Sequence, residues 1–199
     1  MSEFLVQALA TLLGALAAFA LEEQRRKRQE RRAHAQSMKT AMFVLITQRT
    51  FLRNMEKQHL APNKDNPLRA FTIHPTIHVA PAESIDIQAL AFLLSAGDPE
   101  LLNRLVVAEA KYKTFVTLLE RRNTVHLHMQ ERVQQAQASG GITSGTADEI
   151  LGVVGPLIAK QLPQMTDELY RLSNDALEFN QKACEELAES VKKRFPGEG

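Results

Sequence analysis

The sequence predicts an all-α protein in which a single N-terminal transmembrane helix is followed by an elongated helical bundle. Three observations support this fold class. Residues 4–21 carry no charge, two later segments repeat apolar residues in alternating steps of three and four, and period-two alternation is confined to residues 71–79. A composition of 44% hydrophobic and 24% charged residues is typical of a globular chain. One cored domain is therefore expected beyond the first helix.

The uncharged segment, residues 4–21, predicts a membrane span. At 1.5 Å per residue it reaches about 27 Å, close to the hydrocarbon thickness of about 30 Å. Glu3 precedes it and a basic cluster follows it, and basic flanks remain in the cytoplasm. The prediction is a single-pass protein of the bacterial inner membrane, with a periplasmic N-terminus and a cytoplasmic C-terminal domain. An interfacial helix is the alternative, because alanine makes the segment only moderately apolar.

This helix has two unlike faces. One carries bulky apolar residues, which suit lipid, and the other carries small or polar residues, which suit other helices because polar groups are costly in hydrocarbon. We interpret the second as a pore or oligomer face, although small residues are also simply common in short anchors. The bulky stripe comprises Leu5, Leu9, Leu12, Leu16 and Phe19, and the predicted oligomer face comprises Gln7, Thr11, Gly14 and Ala18.

The basic segment, residues 22–37, is predicted to be a juxtamembrane stalk between the anchor (residues 1–21) and a cytoplasmic helical domain (residues 38–199). No proline occurs before Pro62, so the helix is expected to run on to about residue 60. Cations near a bilayer surface bind anionic headgroups, and nucleic acid is the less favoured partner. The predicted headgroup contacts are Arg25, Arg26, Lys27, Arg28, Arg31 and Arg32.

Four prolines make residues 61–82 the one long loop. His74 and His78 lie four apart in it, a spacing that binds metal on a helix, but Pro75 between them makes a helix improbable. We therefore predict no metal site there. Asp86 is expected to cap a short helix that ends near residue 95.

Two long helices follow. The first is expected to begin at Pro99, with Asp98 as its cap, and to reach about residue 138. A capping box formed by Thr146 and Glu149 predicts a short helix that ends at residues 155–156. Pro163 is expected to separate it from the last helix, which ends before residue 196.

The sequence contains no nucleotide-binding, hydrolase or zinc motif, and its single cysteine, Cys184, cannot form a disulfide within the chain. No cofactor is predicted. The polar residues of interest interrupt the apolar stripe of the first long helix, where Arg122 and His126 lie one turn apart. They form either a composite polar site or, as we favour, a buried hydrogen-bond network that holds helices or subunits in register. A protonation-dependent interface involving His126 or His128 is a further interpretation.

These residues resemble a divergent HEPN motif, in which a histidine follows an arginine after four to six residues. Arg121 with His126 fits this spacing, as does Arg122, followed by Asn123, with His128. The layout of an N-terminal anchor, a basic stalk, the segment at residues 87–94 and this helix is similar to that of the small membrane accessory proteins of type VI-B CRISPR systems. That resemblance implies a homo-oligomeric, pore-forming membrane protein that strengthens antiviral defence. Its implied partners are other copies of the chain, the lipid bilayer, and an RNA-guided RNA-targeting effector or RNA.

Two other functions remain open at this point. In HEPN ribonucleases the imidazole helps a ribose 2′-hydroxyl attack the adjacent phosphate while arginine offsets the developing charge, without metal. The resemblance therefore also implies a membrane-tethered ribonuclease as an alternative. A helical scaffold that recruits a partner to the membrane is the third interpretation.

Overall fold

A computed structural model describes residues 2–76, 80–141 and 147–197 of the chain. Within these ranges the regular structure is helical, with no strand, which confirms the all-α prediction. Residues 77–79 of the strand-like segment lie outside the described residues. The helices are α1 (Ser2–Met55), α2 (Arg69–Thr72), α3 (Phe92–Ser95), α4 (Pro99–Ala138), α5 (Ala147–Val154) and α6 (Pro156–Arg194).

Three long helices, α1, α4 and α6, form the bundle. The core near the start of α4 joins Met38 of α1 to Leu102 of α4 and Leu187 of α6. The core further along joins Leu52 of α1 to Phe115 of α4 and Leu172 of α6. Because residue numbers rise together along α1 and α4 and fall along α6, α1 and α4 run parallel and α6 runs antiparallel to both.

A parallel pair of helices needs a connection that travels back along the bundle. Residues 56–98, which we call the return segment, provide it, beginning with a π-helical turn, Glu56–Leu60. The segment is held by buried apolar side chains and by hydrogen bonds to its backbone, such as that from the Tyr112 hydroxyl to the Pro81 carbonyl at 3.2 Å. Its buried side chains include Ile73, Ile85, Leu90 and Leu93.

Several predicted helix boundaries are confirmed. α1 and the π-helical turn carry helix to Leu60, α4 spans Pro99–Ala138, and the backbone N–H of Ala89 donates to the Asp86 carboxylate at 3.0 Å. Asp98, by contrast, makes no capping hydrogen bond. Its carboxylate instead accepts a hydrogen bond from the Arg194 side chain at 3.0 Å. Thr146 of the predicted capping box lies outside the described residues.

Pro163 does not end a helix, and that prediction was wrong. α6 continues from Pro156 to Arg194 with Pro163 inside it. Proline removes one hydrogen bond and strains the preceding turn. The helix persists there because the residues around Pro163 pack into the bundle, where Leu162 and Thr166 are fully buried.

The predicted membrane span is also corrected. Among the residues that the structure describes, no helix is both long enough and apolar enough to cross a membrane. The transmembrane assignment of residues 1–21, and the single-pass inner-membrane location with its periplasmic N-terminus and cytoplasmic domain, are therefore withdrawn.

Candidate functional site

The Arg122 side chain lies inside the bundle, where none of its surface reaches solvent. Its Nε donates to the Thr166 hydroxyl of α6 at 3.0 Å. Its Nη2 donates to two carbonyls of the return segment, Ala70 at 3.0 Å and Ile73 at 2.7 Å. Desolvation lowers the pKa of Arg122 to about 10, so the group is still charged at neutral pH. A guanidinium in this setting clamps the return segment against α4 and α6.

His126, one turn further along α4, is 1% exposed and extends the same clamp. Its Nε2 lies 3.1 Å from the Phe71 carbonyl, which requires that this nitrogen carry the proton. Burial lowers the pKa of His126, and the charge of Arg122 and the nearby His74 ring lower it further, while the bond to Phe71 raises it. His126 is therefore built to be neutral and to hold the backbone of the return segment.

The other members of the HEPN-like motif lie outside this cluster. Arg121 and His128 are exposed, and Asn123 is half-buried with its Nδ2 3.4 Å from the Thr76 hydroxyl. Each frame of the motif thus pairs one buried residue with one exposed residue. The frame from Arg121 ends at the buried His126, and the frame from Arg122 ends at the exposed His128. Neither frame presents an arginine and a histidine together to a substrate.

Further side chains fasten the start of the return segment to α6. Arg69 forms an ion pair with Asp167 at 2.8 Å and stacks its guanidinium over the Tyr170 ring. The Tyr170 hydroxyl donates to the Leu60 carbonyl at 2.8 Å. With Arg122 and His126, these contacts make the end of the bundle near Leu60 a fixed structure rather than an open cleft.

A second buried polar cluster joins all three long helices and was missed by sequence reasoning. Gln48 of α1 is fully buried, and its Nε2 donates to the Glu109 carboxylate of α4 at 2.8 Å. The Nδ2 of Asn180 in α6 donates to the side-chain amide oxygen of Gln48 at 3.4 Å. The signal was available, because Gln48 falls in the apolar stripe of α1, between Leu45 and Leu52.

The described residues form no metal-binding cluster, and the one cysteine among them is buried. Among the described residues, no three His, Cys, Asp or Glu side chains converge as metal ligands. His78, four residues after His74 in the sequence, lies outside the described residues. Cys184 is buried in the core, and burial raises the pKa of its thiol.

The first part of α1 extends beyond the bundle as a lone helix, and we call its continuously described part, residues 11–33, the free segment. Every residue of it is exposed except Glu23, which is half-buried. The bundle begins at its end, where the Arg31 guanidinium lies 5.9 Å from the centre of the Phe195 ring, and at His34, which stacks on Phe92 at 3.9 Å. The free segment therefore contacts little else of the chain.

The predicted oligomer face and the basic block both lie on this lone helix. Gln7, Thr11, Gly14 and Ala18 are all exposed, and the Thr11 hydroxyl donates to the Gln7 carbonyl at 2.9 Å. Part of the basic block is neutralised by its own helix, because Glu23 pairs with Arg26 at 2.7 Å and with Lys27 at 3.4 Å. Pairing through the small face and headgroup binding by the block both stay predictions.

The bulky face of the free segment is the feature that most needs an explanation. Leu16 is 58% exposed and Phe19 is 72% exposed. A cluster of large apolar side chains in water marks a surface that binds something. The members of this surface whose side chains are described are Leu12, Leu16 and Phe19, while Leu13 and Leu21 are exposed on other sides of the same helix.

Comparisons with known proteins supply no further assignment. No protein-family model, no curated protein and no solved structure matches the chain.

Proposed function

We propose that this chain is a non-enzymatic, self-associating helical protein of bacterial antiviral defence, which assembles through the exposed apolar face of the free segment. The bundle serves as the body that the free segment links to other copies. The antiviral assignment, and an RNA-guided RNA-targeting effector as a partner, rest on the resemblance described above. A membrane pore is not carried forward, because it requires the span that was withdrawn.

The observation that carries the non-enzymatic part is the burial of Arg122. Its three hydrogen bonds go to groups of the chain itself, and its remaining nitrogen, Nη1, has no partner but is buried, so no donor faces a phosphate in solvent. His126 likewise uses its protonated nitrogen on the Phe71 carbonyl. These residues act in folding, as a network that fixes the return segment, and the ribonuclease alternative loses its support.

The observation that supports self-association is the exposure of Leu12, Leu16 and Phe19 along one side of a helix, a side that no other described element covers. Burial of such a side chain contributes about 1.5–3 kcal/mol. Only part of this gain appears as affinity, because association costs translational and rotational freedom. Several such residues in one stripe are still enough to favour a complex over the separate chains.

Light scattering during size-exclusion chromatography tests the assembly. We expect a mass that is a multiple of 22.2 kDa. Leu16→Asp places a charge within the apolar face and should return the protein to a monomer. The matched control is Leu157→Asp, since Leu157 is an exposed leucine outside the free segment. A wild-type monomer at tens of micromolar, or equal effects of the two substitutions, would overturn the self-association.

Cleavage of single-stranded RNA tests the absence of catalysis. We expect none from the purified protein, because its candidate arginine and histidine pairs are each split between core and surface. Cleavage that disappears in both Arg121→Ala and His128→Ala, which change exposed residues only, would overturn the non-enzymatic assignment. In phage-challenged bacteria, loss of protection by Leu16→Asp but not by Leu157→Asp would tie assembly to defence.

A further inference from the structure

We propose that the free segment pairs with the same segment of a second copy in antiparallel orientation, about a two-fold axis near Leu12. This inference rests on the self-association proposed above and adds its geometry. It follows from the position of the bundle relative to the apolar face, and from the charge that lies between the two.

The apolar face and the core-facing side of α1 are one continuous side of one helix. Leu12 lies 29 residues before Ala41, and Leu16 lies 29 residues before Leu45. A spacing of 29 residues is about eight turns of 3.6 residues. Ala41 and Leu45 are both buried against α4 and α6. The bare apolar face therefore points to the same side as the bundle.

This alignment excludes a parallel partner in register. A second α1 laid along Leu12 and Leu16 in the same direction would continue past residue 34, because α1 is one uninterrupted helix. It would enter the volume that α4 and α6 already fill beside Met38 and Leu45. A parallel pair could avoid this collision only by leaving the apolar face uncovered.

An antiparallel partner fits the space that is present. With the axis near Leu12, position 2 of one copy faces position 22 of the other. The bundle begins at Arg31, nine residues further on, which is about 14 Å along the helix. The partner thus ends before it meets the bundle. The uncharged residues 4–20 of the two copies also overlie one another along their whole length.

Charge favours the same orientation. Residues 22–33 contain six arginine or lysine side chains and three glutamates, a net charge of +3 in each copy. Parallel pairing would place these blocks side by side. Antiparallel pairing separates position 28 of the two copies by about 48 Å along the axis, far beyond the screening length of about 8 Å at physiological salt. Repulsion between the blocks is then negligible.

Distances between spin labels on the full-length protein test this geometry. Labels would be attached at Leu13→Cys and, separately, at Arg28→Cys, both exposed positions of the free segment. Cys184 is buried, and Cys184→Ala provides a background without it. Position 13 reports pairing in either orientation, whereas position 28 reports the orientation. We expect a short distance, about 10–20 Å, at position 13 and about 50 Å at position 28.

Each other outcome is decisive. Short distances at both positions would establish a parallel pair, overturning the antiparallel geometry while leaving self-association intact. Absence of coupling at position 13, together with a monomeric mass, would overturn both. If phosphatidylglycerol vesicles bound the protein and abolished the coupling at position 13, the apolar face would belong to lipid and the second copy would be overturned as its occupant.

Discussion

The two parts of α1 differ in surroundings and hardly at all in pattern. Leu45 is fully buried, whereas Leu16, on the same side of the same helix, is 58% exposed. The difference comes from the neighbours, because α6 ends at Arg194 and the return segment turns into α4 at Pro99, both near the level of His34. A stripe of apolar residues thus predicts a packed face, while the length of the adjoining helices decides what packs on it.

The largest expected effect comes from a substitution that destabilises the bundle and leaves α1 unchanged. Arg122→Met should lower the free energy of unfolding by about 3–9 kcal/mol, because two carbonyls and a hydroxyl lose their donor at about 1–3 kcal/mol each. Arg121→Met, one residue earlier and exposed, should change it by less than about 0.5 kcal/mol. Chemical denaturation measures both. Equal effects would show that Arg122 is not the clamp described here.

The matched leucines test the comparison directly. Leu45→Ala should cost about 2–5 kcal/mol of unfolding free energy, because it opens a cavity in the core. Leu16→Ala removes the same atoms from an exposed site, so at concentrations where the protein is monomeric it should cost less than about 0.5 kcal/mol. Denaturation at low protein concentration distinguishes them. A large loss from Leu16→Ala in the monomer would mean that the free segment packs on its own bundle.

One exposed and one buried glutamine of α1 extend the comparison to polar groups. Gln48→Met should destabilise by about 1–3 kcal/mol, because the buried Glu109 carboxylate loses its amide donor. Gln7→Met lies on the exposed face and should leave the stability of the monomer unchanged within about 0.5 kcal/mol. Thermal melts of the two variants beside the wild type provide the measurement. A stabilised Gln48→Met variant would indicate that the cluster costs more than it contributes.

The smallest expected effect is on pH dependence. Because the folded pKa of His126 lies below its unfolded value of about 6.5, its contribution to stability is complete above pH 6.5 and is lost as the pH falls below it. The slope for one proton is at most about 1.4 kcal/mol per pH unit. His126→Gln, which keeps a donor for Phe71, should flatten stability between pH 7 and 5, and His128→Gln should not. An unchanged slope in His126→Gln would assign the titration to another group.

Local periodicity predicted much of the fold. The apolar steps of three and four marked α4 and α6, and the absence of proline before Pro62 marked the length of α1. Pro163 misled the prediction because tertiary packing around Leu162 and Thr166 outweighs the local cost of proline. The parallel arrangement of α1 and α4 was not predictable either, since it depends on contacts between distant residues, such as Gln48 with Glu109.

The candidate site was likewise predictable only in part, in its position along α4 but not in its partners. The step from Arg122 to His126 indicated a polar interruption of a packed face, and a buried network was favoured over a composite site. Sequence could not identify the partners, because they are backbone carbonyls of Ala70, Phe71 and Ile73, and every residue type carries a carbonyl. The membrane span was also predicted from the sequence and was wrong, because no helix among the described residues is both long enough and apolar enough to cross a membrane.

The return segment also has a consequence for the order of folding. α1 meets its partners only across long stretches of chain, as in the pairing of Gln48 with Asn180, 132 residues apart. Closing loops of that size is slow, and chains dominated by such contacts fold more slowly than those with local pairings. α4 and α6 are joined by a much shorter connection, so we expect their antiparallel pair to form early. We expect α1 to dock as a late step, and until it does, the apolar residues of both its core-facing part and its free segment are exposed to solvent.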